Sequence, residues 1–171
     1  MLLNREVKMN AAHWHLVLNH IPLIGIGFVA LLMVIAFLRK SSELVSVSMV
    51  LAVVVALFAI PAYLTGEPAE EVVENTPGIS ENLIEEHEEA AEKAFILVEA
   101  VGGLALIGLI ARRFSRNLGN TLAVATLAGL LAGGGLVAYT ANLGGKIHHQ
   151  EIRDRSVTLA PSAGSTGEDR D

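Results

Sequence analysis

Four long runs of apolar residues constrain the fold of this chain more than any other feature. They extend from residue 16 to 38, 44 to 64, 94 to 111 and 121 to 143. A helix needs roughly 20 mostly apolar residues to cross a hydrocarbon layer about 30 Å thick, because each residue rises about 1.5 Å. Hydrophobic residues are 52% of the sequence, too many for an ordinary soluble domain. The sequence therefore predicts an integral membrane protein with four spanning helices.

The lengths of the connections predict how these helices are arranged. The first and third connections are short, which indicates two antiparallel helical hairpins in an all-α four-helix bundle. Pro61 and the Thr-Gly-Glu-Pro sequence at 65–68 predict the end of the second helix. Ser80 is a good N-cap residue, and apolar residues recur at helical spacing after it. We therefore expect the third spanning helix to begin well above the membrane and to enter it without a break.

The same reading divides the chain into three parts. Residues 1–12 are an N-terminal tail, and residues 13–153 are the four-helix transmembrane domain. Residues 154–171 are rich in Ser, Thr, Gly, Pro and charge, so we expect a disordered C-terminal tail with little apolar surface to fold around.

Charge is distributed unequally between the connections and predicts the orientation. Arg39 and Lys40 lie in the first connection, and three arginines lie between residues 112 and 116 in the third. The second connection, residues 65 to 92, holds ten Glu and no Lys or Arg. Short basic loops stay in the cytoplasm. We therefore expect both termini and the acidic connection to face outward.

The six histidines gather at the outward-facing end. Counting back from Leu38 places His20 at the edge of the hydrocarbon. The same counting places His13, His87 and His149 at a similar height, roughly 9 to 10 Å above it. The upper level would then bring imidazoles from three helices together.

Acidic residues from the end of the second helix could join these histidines. An imidazole that binds a metal usually donates its other ring nitrogen to a carboxylate or carbonyl oxygen. We interpret three residues as cofactor ligands: His20, His87 and His149. We interpret three others as metal-binding candidates: His13, Glu67 and Glu70. His15 and His148 are expected to be interfacial bystanders.

A deeper set of polar residues lies within about two helical turns of the outer boundary. These residues are Asn19, Tyr63, Glu99, Tyr139 and Asn142. An ionisable residue inside a membrane is costly and marks a pathway, a relay or a ligand. We expect Glu99 to be hydrogen-bonded inside the bundle, close to His20, Tyr63 and Asn142.

Glycines on the fourth spanning helix predict close helix packing. Gly129 and Gly133 form a small-residue stripe, and such stripes allow helices to approach each other in lipid. Gly102 and Gly103 on the third helix, and Gly25 and Gly27 on the first, are expected to meet this stripe.

Four sequence blocks together resemble those of a known family. They are NHIPLIG at 19–25, YLTGEPAEE at 63–71, EHEE at 86–89 and NLGGKIHH at 142–149. The combination is similar to the DUF2231-like family of small bacterial four-helix membrane proteins, which has no established activity. The resemblance covers about residues 9 to 153 and implies a location in the bacterial inner membrane. It also implies importance for His20, Pro22, Gly66, His87, Gly145 and one of His148 and His149. The acidic residues Glu67, Glu70 and Glu71 depart from the family pattern.

Three functions are compatible with these residues. The first is a membrane accessory subunit for electron transfer that binds one haem b, because two histidines from facing helices hold such a haem in a bundle. The second is a site for a transition metal or a proton, built from His and carboxylate groups. The Glu-x-x-His spacing of di-iron bundles is absent, since residue 84 is Ile. The third is a structural or assembly subunit that binds other membrane subunits.

Two function classes are disfavoured by the sequence. No nucleophile motif such as G-x-S-x-G is present, so hydrolytic catalysis is disfavoured and we assign no catalytic residue. The net charge is −6, and the exposed connection is acidic, which disfavours binding to nucleic acid.

Overall fold

The computed structural model describes residues 10–74 and 76–153, apart from the side chain of Gln150. Most of the predicted N-terminal tail and all of the predicted C-terminal tail lie outside the described residues. The helices are α1 (Ala11–Leu38), α2 (Ser42–Leu64), α3 (Gly66–Val73), α4 (Glu81–Phe114) and α5 (Arg116–His148), followed by a single 3-10 turn (Gln150–Ile152).

The predicted all-α membrane bundle is confirmed. Four helical segments are long and apolar enough to cross a membrane, namely α1, α2 with α3, α4, and α5. The exposed side chains along these helices are largely apolar, as at Ile24, Phe28 and Leu31. Such a surface suits contact with lipid. The protein is therefore a multi-pass membrane protein.

The four long helices form a ring of neighbours. α1 packs against α2, α2 against α4, α4 against α5, and α5 against α1. The pairs α1–α2 and α4–α5 are the two predicted antiparallel hairpins. Because α1 and α4 are not neighbours in this ring, they face each other diagonally across the bundle axis.

The long third spanning helix is also confirmed. α4 has 34 residues, so it is about 50 Å long and extends about 20 Å beyond a hydrocarbon layer. A small apolar cluster supports the extension: Leu83, Ile84 and Ile147 are buried, with Val73 and Ile79 packed against them. We call this end of the bundle the acidic end. It comprises α3, the start of α4 and the end of α5.

Arg153 fastens the end of α5 to the turn that precedes α4. Its Nε and Nη2 donate to the carbonyl oxygens of Lys146 (2.7 Å) and Ile147 (2.6 Å), and its Nη1 donates to the carbonyl of Gly78 (2.8 Å). The last carbonyls of a helix lack intrahelical partners, and a cation is favourable there. One side chain thus satisfies these groups and holds two elements together.

The short helix α3 was not predicted from the sequence. The Thr-Gly-Glu-Pro sequence does end α2, since Thr65 Oγ1 donates to the carbonyls of Pro61 and Ala62 (both 2.9 Å). A new helix then begins at once, with Pro68 in its first turn. Proline is tolerated in a first turn because the N–H that it lacks has no intrahelical acceptor there. Pro68 therefore lies inside a helix, and Pro61 lies inside α2.

Small residues set the spacing of the helices in the core. α2 buries Ala52, Ala56 and Ala59 along one face. A Cβ added to Gly102 of α4 would lie 2.4 Å from the Cβ of Ala56. In lipid the hydrophobic effect does not drive helices together, so this close backbone approach is a main source of their association.

The predicted glycine contacts are correct in part. A Cβ at Gly129 of α5 would lie 2.5 Å from Val101 of α4, so this stripe does meet the third spanning helix. Gly102 and Gly25 face α2 instead, against Ala56 and Val55. The sequence showed which helices have a face of small residues. It did not show which neighbouring helix each of these faces packs against.

Arg112 fastens the opposite end of the bundle. Its guanidinium donates to Ser46 Oγ (3.2 Å), to Ser42 Oγ (2.7 Å) and carbonyl (3.0 Å), and to Asn120 Oδ1 (2.7 Å). The start of α2, the end of α4 and the start of α5 are therefore held together. We call this end, with the turns at 39–41 and 115, the basic end. The sequence analysis treated its arginines only as topology signals.

Gly102→Ala and Gly103→Ala are a matched test of this packing. The methyl group added at position 102 would overlap Ala56, so we expect the free energy of unfolding to fall by about 1 to 3 kcal/mol, the usual cost of overpacking. A Cβ at Gly103 meets nothing within 4 Å, so Gly103→Ala should change stability by less than about 1 kcal/mol. Thermal unfolding in detergent measures both. Equal losses of stability would contradict the assigned contact.

Candidate paired-histidine site

His15 on α1 is directed at the end of α2. Its Nδ1 lies 3.0 Å from the carbonyl oxygen of Ala62 and 3.3 Å from Thr65 Oγ1, and its side chain is half-buried. Ala62 is in the last turn of α2, where the carbonyl has no intrahelical partner. This carbonyl also accepts a hydrogen bond from Thr65 Oγ1, so the imidazole adds a second hydrogen bond at the end of this helix.

His87 on α4 makes the corresponding contact with α5. Its Nδ1 lies 2.9 Å from the carbonyl oxygen of Thr140, and its side chain is half-buried. Gly144 follows Thr140 by one turn, and a Cβ there would lie 3.0 Å from His87 Cε1. The missing side chain at Gly144 thus leaves the space that the imidazole occupies.

The two imidazoles face each other across the bundle axis. Their ring centres are 6.4 Å apart and their planes are at 90°. They come from the diagonal helices α1 and α4, and their hydrogen bonds end on α2 and α5. We call His15, His87 and the residues that contact them, Ala62, Thr65, Gly66, Thr140 and Gly144, the paired-histidine site.

The hydrogen bonds fix the chemistry of both rings. A carbonyl oxygen only accepts hydrogen bonds, so the Nδ1 atom of each imidazole must carry the proton. In the neutral ring Nε2 then carries a free lone pair. Histidines that bind a metal commonly share this arrangement, since they donate one ring nitrogen to a carbonyl or carboxylate and use the other for the metal.

Of the three predicted cofactor ligands, only His87 lies in the pair. His20 is exposed, and its Nδ1 donates to the carbonyl of Leu16 in its own helix. His149 is also exposed, and its Nδ1 lies 2.8 Å from Glu151 Oε1. The structure does not bring these three together, and the ring facing His87 belongs to His15, which was expected to be a bystander.

The predicted metal-binding residues are not assembled either. His13 and Glu67 are exposed, and Glu70 is partly buried. Over residues 10–74 and 76–153, no group of three or more His, Asp or Glu side chains is placed to hold a metal ion. The physical reason is that equal height on different helices does not imply the same bundle face.

The deeper polar layer is not clustered inside the bundle. Tyr63, Tyr139 and Asn142 are exposed, and only Asn19 and Glu99 are partly buried. Tyr63 stacks on Phe95, with ring centres 4.3 Å apart. The expected hydrogen bond of Glu99 is wrong, because its buried Oε1 has no partner among the described residues.

Carboxylates form an open groove beside the paired-histidine site. Its volume is about 420 Å³, and it lies between α3 and the start of α4. Its acidic lining residues are Glu70, Glu74, Glu81, Glu85 and Glu88. Most of these side chains are exposed, as expected for the solvated face of a helix. The groove gives the acidic end a negative surface.

The inward position of His15 could have been predicted from the spacing of the buried residues on α1. Pro22, Val29 and Ala36 are buried on α1 at intervals of seven residues, and His15 precedes Pro22 by seven. His13 and His20 are also seven apart but lie on another, exposed face. On α4 the same spacing joins His87 to the buried residue Ala94. A histidine that continues the row of buried residues on its helix is expected to point inward, whereas its depth in the membrane does not show its direction.

No protein-family model, curated protein or solved structure matches this chain. The resemblance to the DUF2231-like family therefore stays a prediction.

Gly144→Val tests the contact between Gly144 and His87. The added side chain would displace the imidazole from the Thr140 carbonyl and destabilise the fold. In a His87→Ala background this clash is absent, so we expect a smaller effect and a coupling of about 0.5 to 3 kcal/mol in a double-mutant cycle. Thermal unfolding in detergent provides the four values.

Gly145→Val is the matched control, because a Cβ there meets only Ile152 Cδ1, at 3.7 Å. Its effect should be the same with and without His87. A coupling for Gly145→Val as large as that for Gly144→Val would contradict the assigned packing.

Proposed function

We propose that this protein is a membrane accessory subunit for electron transfer that holds one b-type haem between His15 and His87. The observation that carries the proposal is the pair of imidazoles on diagonal helices, each with Nδ1 hydrogen-bonded to a backbone carbonyl. Bound haem iron would supply one-electron redox chemistry. The chain's own part is to ligate and orient the iron.

The number of ligands favours haem iron over a bare metal ion. Protein sites for a bare transition-metal ion usually supply at least three side chains. Only two imidazoles face each other here. A haem group supplies most of the ligands of its own iron, so two imidazoles from the protein, those of His15 and His87, would be enough to hold it. Two protein side chains are therefore enough for haem iron but too few for a bare metal ion.

The separation of the imidazoles suits one metal ion held by both rings. A ring nitrogen that binds a metal lies about 2 Å from it, so two imidazoles that share one metal would have ring centres up to about 6 Å apart. The observed distance is 6.4 Å. Diagonal helices also suit this geometry, since ligands in a bundle core come from facing helices.

The position of the pair along the bundle also supports the proposal. In the middle of the bundle the core between Ile26, Val98 and Leu130 leaves a void of only about 10 Å³. The imidazoles, in contrast, lie outside this core, at the ends of α1 and α4 where they contact Gly66 and Gly144. A cofactor at this end would also lie close to water and to a docking partner.

Haem content of the purified protein tests this proposal directly. We expect a Soret absorption band in the detergent-solubilised wild type, after expression with haem precursor or titration with hemin. His15→Ala and His87→Ala should each lower haem affinity by at least about tenfold, since even outer partners of metal ligands change affinity by roughly 10–100-fold. His13→Ala, His20→Ala and His148→Ala are the matched controls and should retain the band.

Two other outcomes would replace the proposal. Loss of a tightly bound metal, without a Soret band, on replacement of His15 or His87 would favour the metal-binding function. A wild type that binds neither hemin nor metal would favour a purely structural subunit, in which the imidazoles only tie the helices together.

The proposal includes an orientation in the bacterial inner membrane. The basic end would face the cytoplasm, because Arg39, Lys40, Arg113 and Arg116 lie in or beside short turns there, and short basic connections stay on the cytoplasmic side. The paired-histidine site and both termini would face outward, where an electron-transfer partner outside the cytoplasm could approach.

Fusions to the C-terminus test this orientation. Alkaline phosphatase folds only outside the cytoplasm, so we expect phosphatase activity from its fusion. Green fluorescent protein fused at the same position should give little fluorescence. Bright fluorescence without phosphatase activity would contradict the orientation and would leave the haem proposal standing.

A further inference from the structure

Four cationic side chains at the basic end have no counterion among the residues that the structure describes. Arg39, Lys40, Arg113 and Arg116 are exposed, and none forms an ion pair within the described part of the chain. The one acidic residue in this region is Glu43, in the first turn of α2. The basic end therefore carries a concentrated positive charge at the membrane boundary.

Arg112 brings these charges into one patch. Its guanidinium bonds to Ser42, two residues after Lys40, and it directly precedes Arg113 in the chain. The turn between α1 and α2 is thus held beside the turn between α4 and α5. The like charges would repel each other in the absence of an anion, and Arg112 holds them in place.

The backbone at Lys40 is a second, independent observation. Lys40 has φ 51°, the one non-glycine residue with positive φ among those described. It follows the C-terminus of α1, where glycine is the usual residue because it adopts this conformation without strain. A lysine at this position accepts backbone strain and adds a charge to the patch, which points to a role for the charge.

Two exposed apolar residues beside these charges indicate that the charges lie at the membrane surface. Leu38 is 78% exposed and Phe114 is 86% exposed, and they directly precede Arg39 and follow Arg113. Such side chains at the end of a spanning helix lie against acyl chains. The cations next to them are at the level of the lipid headgroups.

We propose that the basic end binds the headgroup of an anionic phospholipid, with Lys40, Arg113 and Arg116 as its main contacts. Clusters of lysine and arginine beside spanning helices attract anionic headgroups, and each such charge near the membrane surface contributes to binding. Arginine also suits phosphate, because its guanidinium donates two parallel hydrogen bonds. The occupant is a lipid, since the patch combines phosphate-binding cations with exposed apolar side chains.

Lipid retention, measured by native mass spectrometry of the protein from detergent, tests this inference. Mixed micelles contain phosphatidylglycerol or phosphatidylcholine, and we expect phosphatidylglycerol to be retained preferentially. Arg113→Gln with Arg116→Gln should weaken its binding about 25-fold, which corresponds to about fivefold for each charge. Lys93→Gln, which removes a charge at the acidic end, is the control and should leave retention unchanged.

Lys40→Gly separates charge from structure. It should weaken phosphatidylglycerol binding about fivefold while Tm in lipid-free detergent stays equal or rises, because the strain at residue 40 is relieved. Equal retention of both lipids by the wild type would overturn the proposal, as would unchanged retention in the Arg113/Arg116 variant. Competition by inorganic phosphate alone as strong as that by the lipid would show a simple anion site and would overturn the lipid assignment.

Discussion

Close contact between small residues is the constraint on which the rest of this structure depends. Inside a bilayer all backbone groups must be satisfied within the helices, and association then relies on packing. Gly102 against Ala56 and Gly129 against Val101 bring α4 next to α2 and α5. A core packed this closely leaves a void of only about 10 Å³ in the middle. Polar chemistry is therefore confined mainly to the two ends of the bundle.

Each end is closed by side chains that reach backbone groups on other helices. At the basic end one guanidinium, that of Arg112, joins α2, α4 and α5. At the acidic end two imidazoles join α1 to α2 and α4 to α5. The side chains at the two ends differ in the polar atoms that they leave without a hydrogen bond. Arg112 donates four hydrogen bonds to neutral acceptors and has no lone pair to offer, whereas His15 and His87 each keep a free ring nitrogen. This difference makes the histidine pair the stronger candidate for a functional site.

The sequence predicts the architecture better than the site, for physical reasons. Apolar length alone identifies spanning helices, and the acidic face after Ser80 shows that α4 extends beyond the membrane. Depth could also be counted from the sequence, which correctly brought His87 to the acidic end. Rotation about each helix axis decides which side chains face inward, and the contacts between helices set this rotation. His20 and His149 therefore have suitable heights but exposed positions, while His15 has the inward face. The hydrogen bonds of Arg112 and Arg153 depend on contacts between segments far apart in the chain, which no local pattern predicts.

The electron paramagnetic resonance spectrum of the ferric, hemin-loaded protein tests the paired-histidine account most directly. Two neutral imidazoles on opposite sides of the iron give a low-spin signal, and perpendicular ring planes make that signal strongly anisotropic. The planes of His15 and His87 are at 90°. We therefore expect a strongly anisotropic low-spin signal that disappears in both His15→Ala and His87→Ala. A high-spin spectrum in the wild type, or a low-spin signal that persists in either variant, would contradict the account.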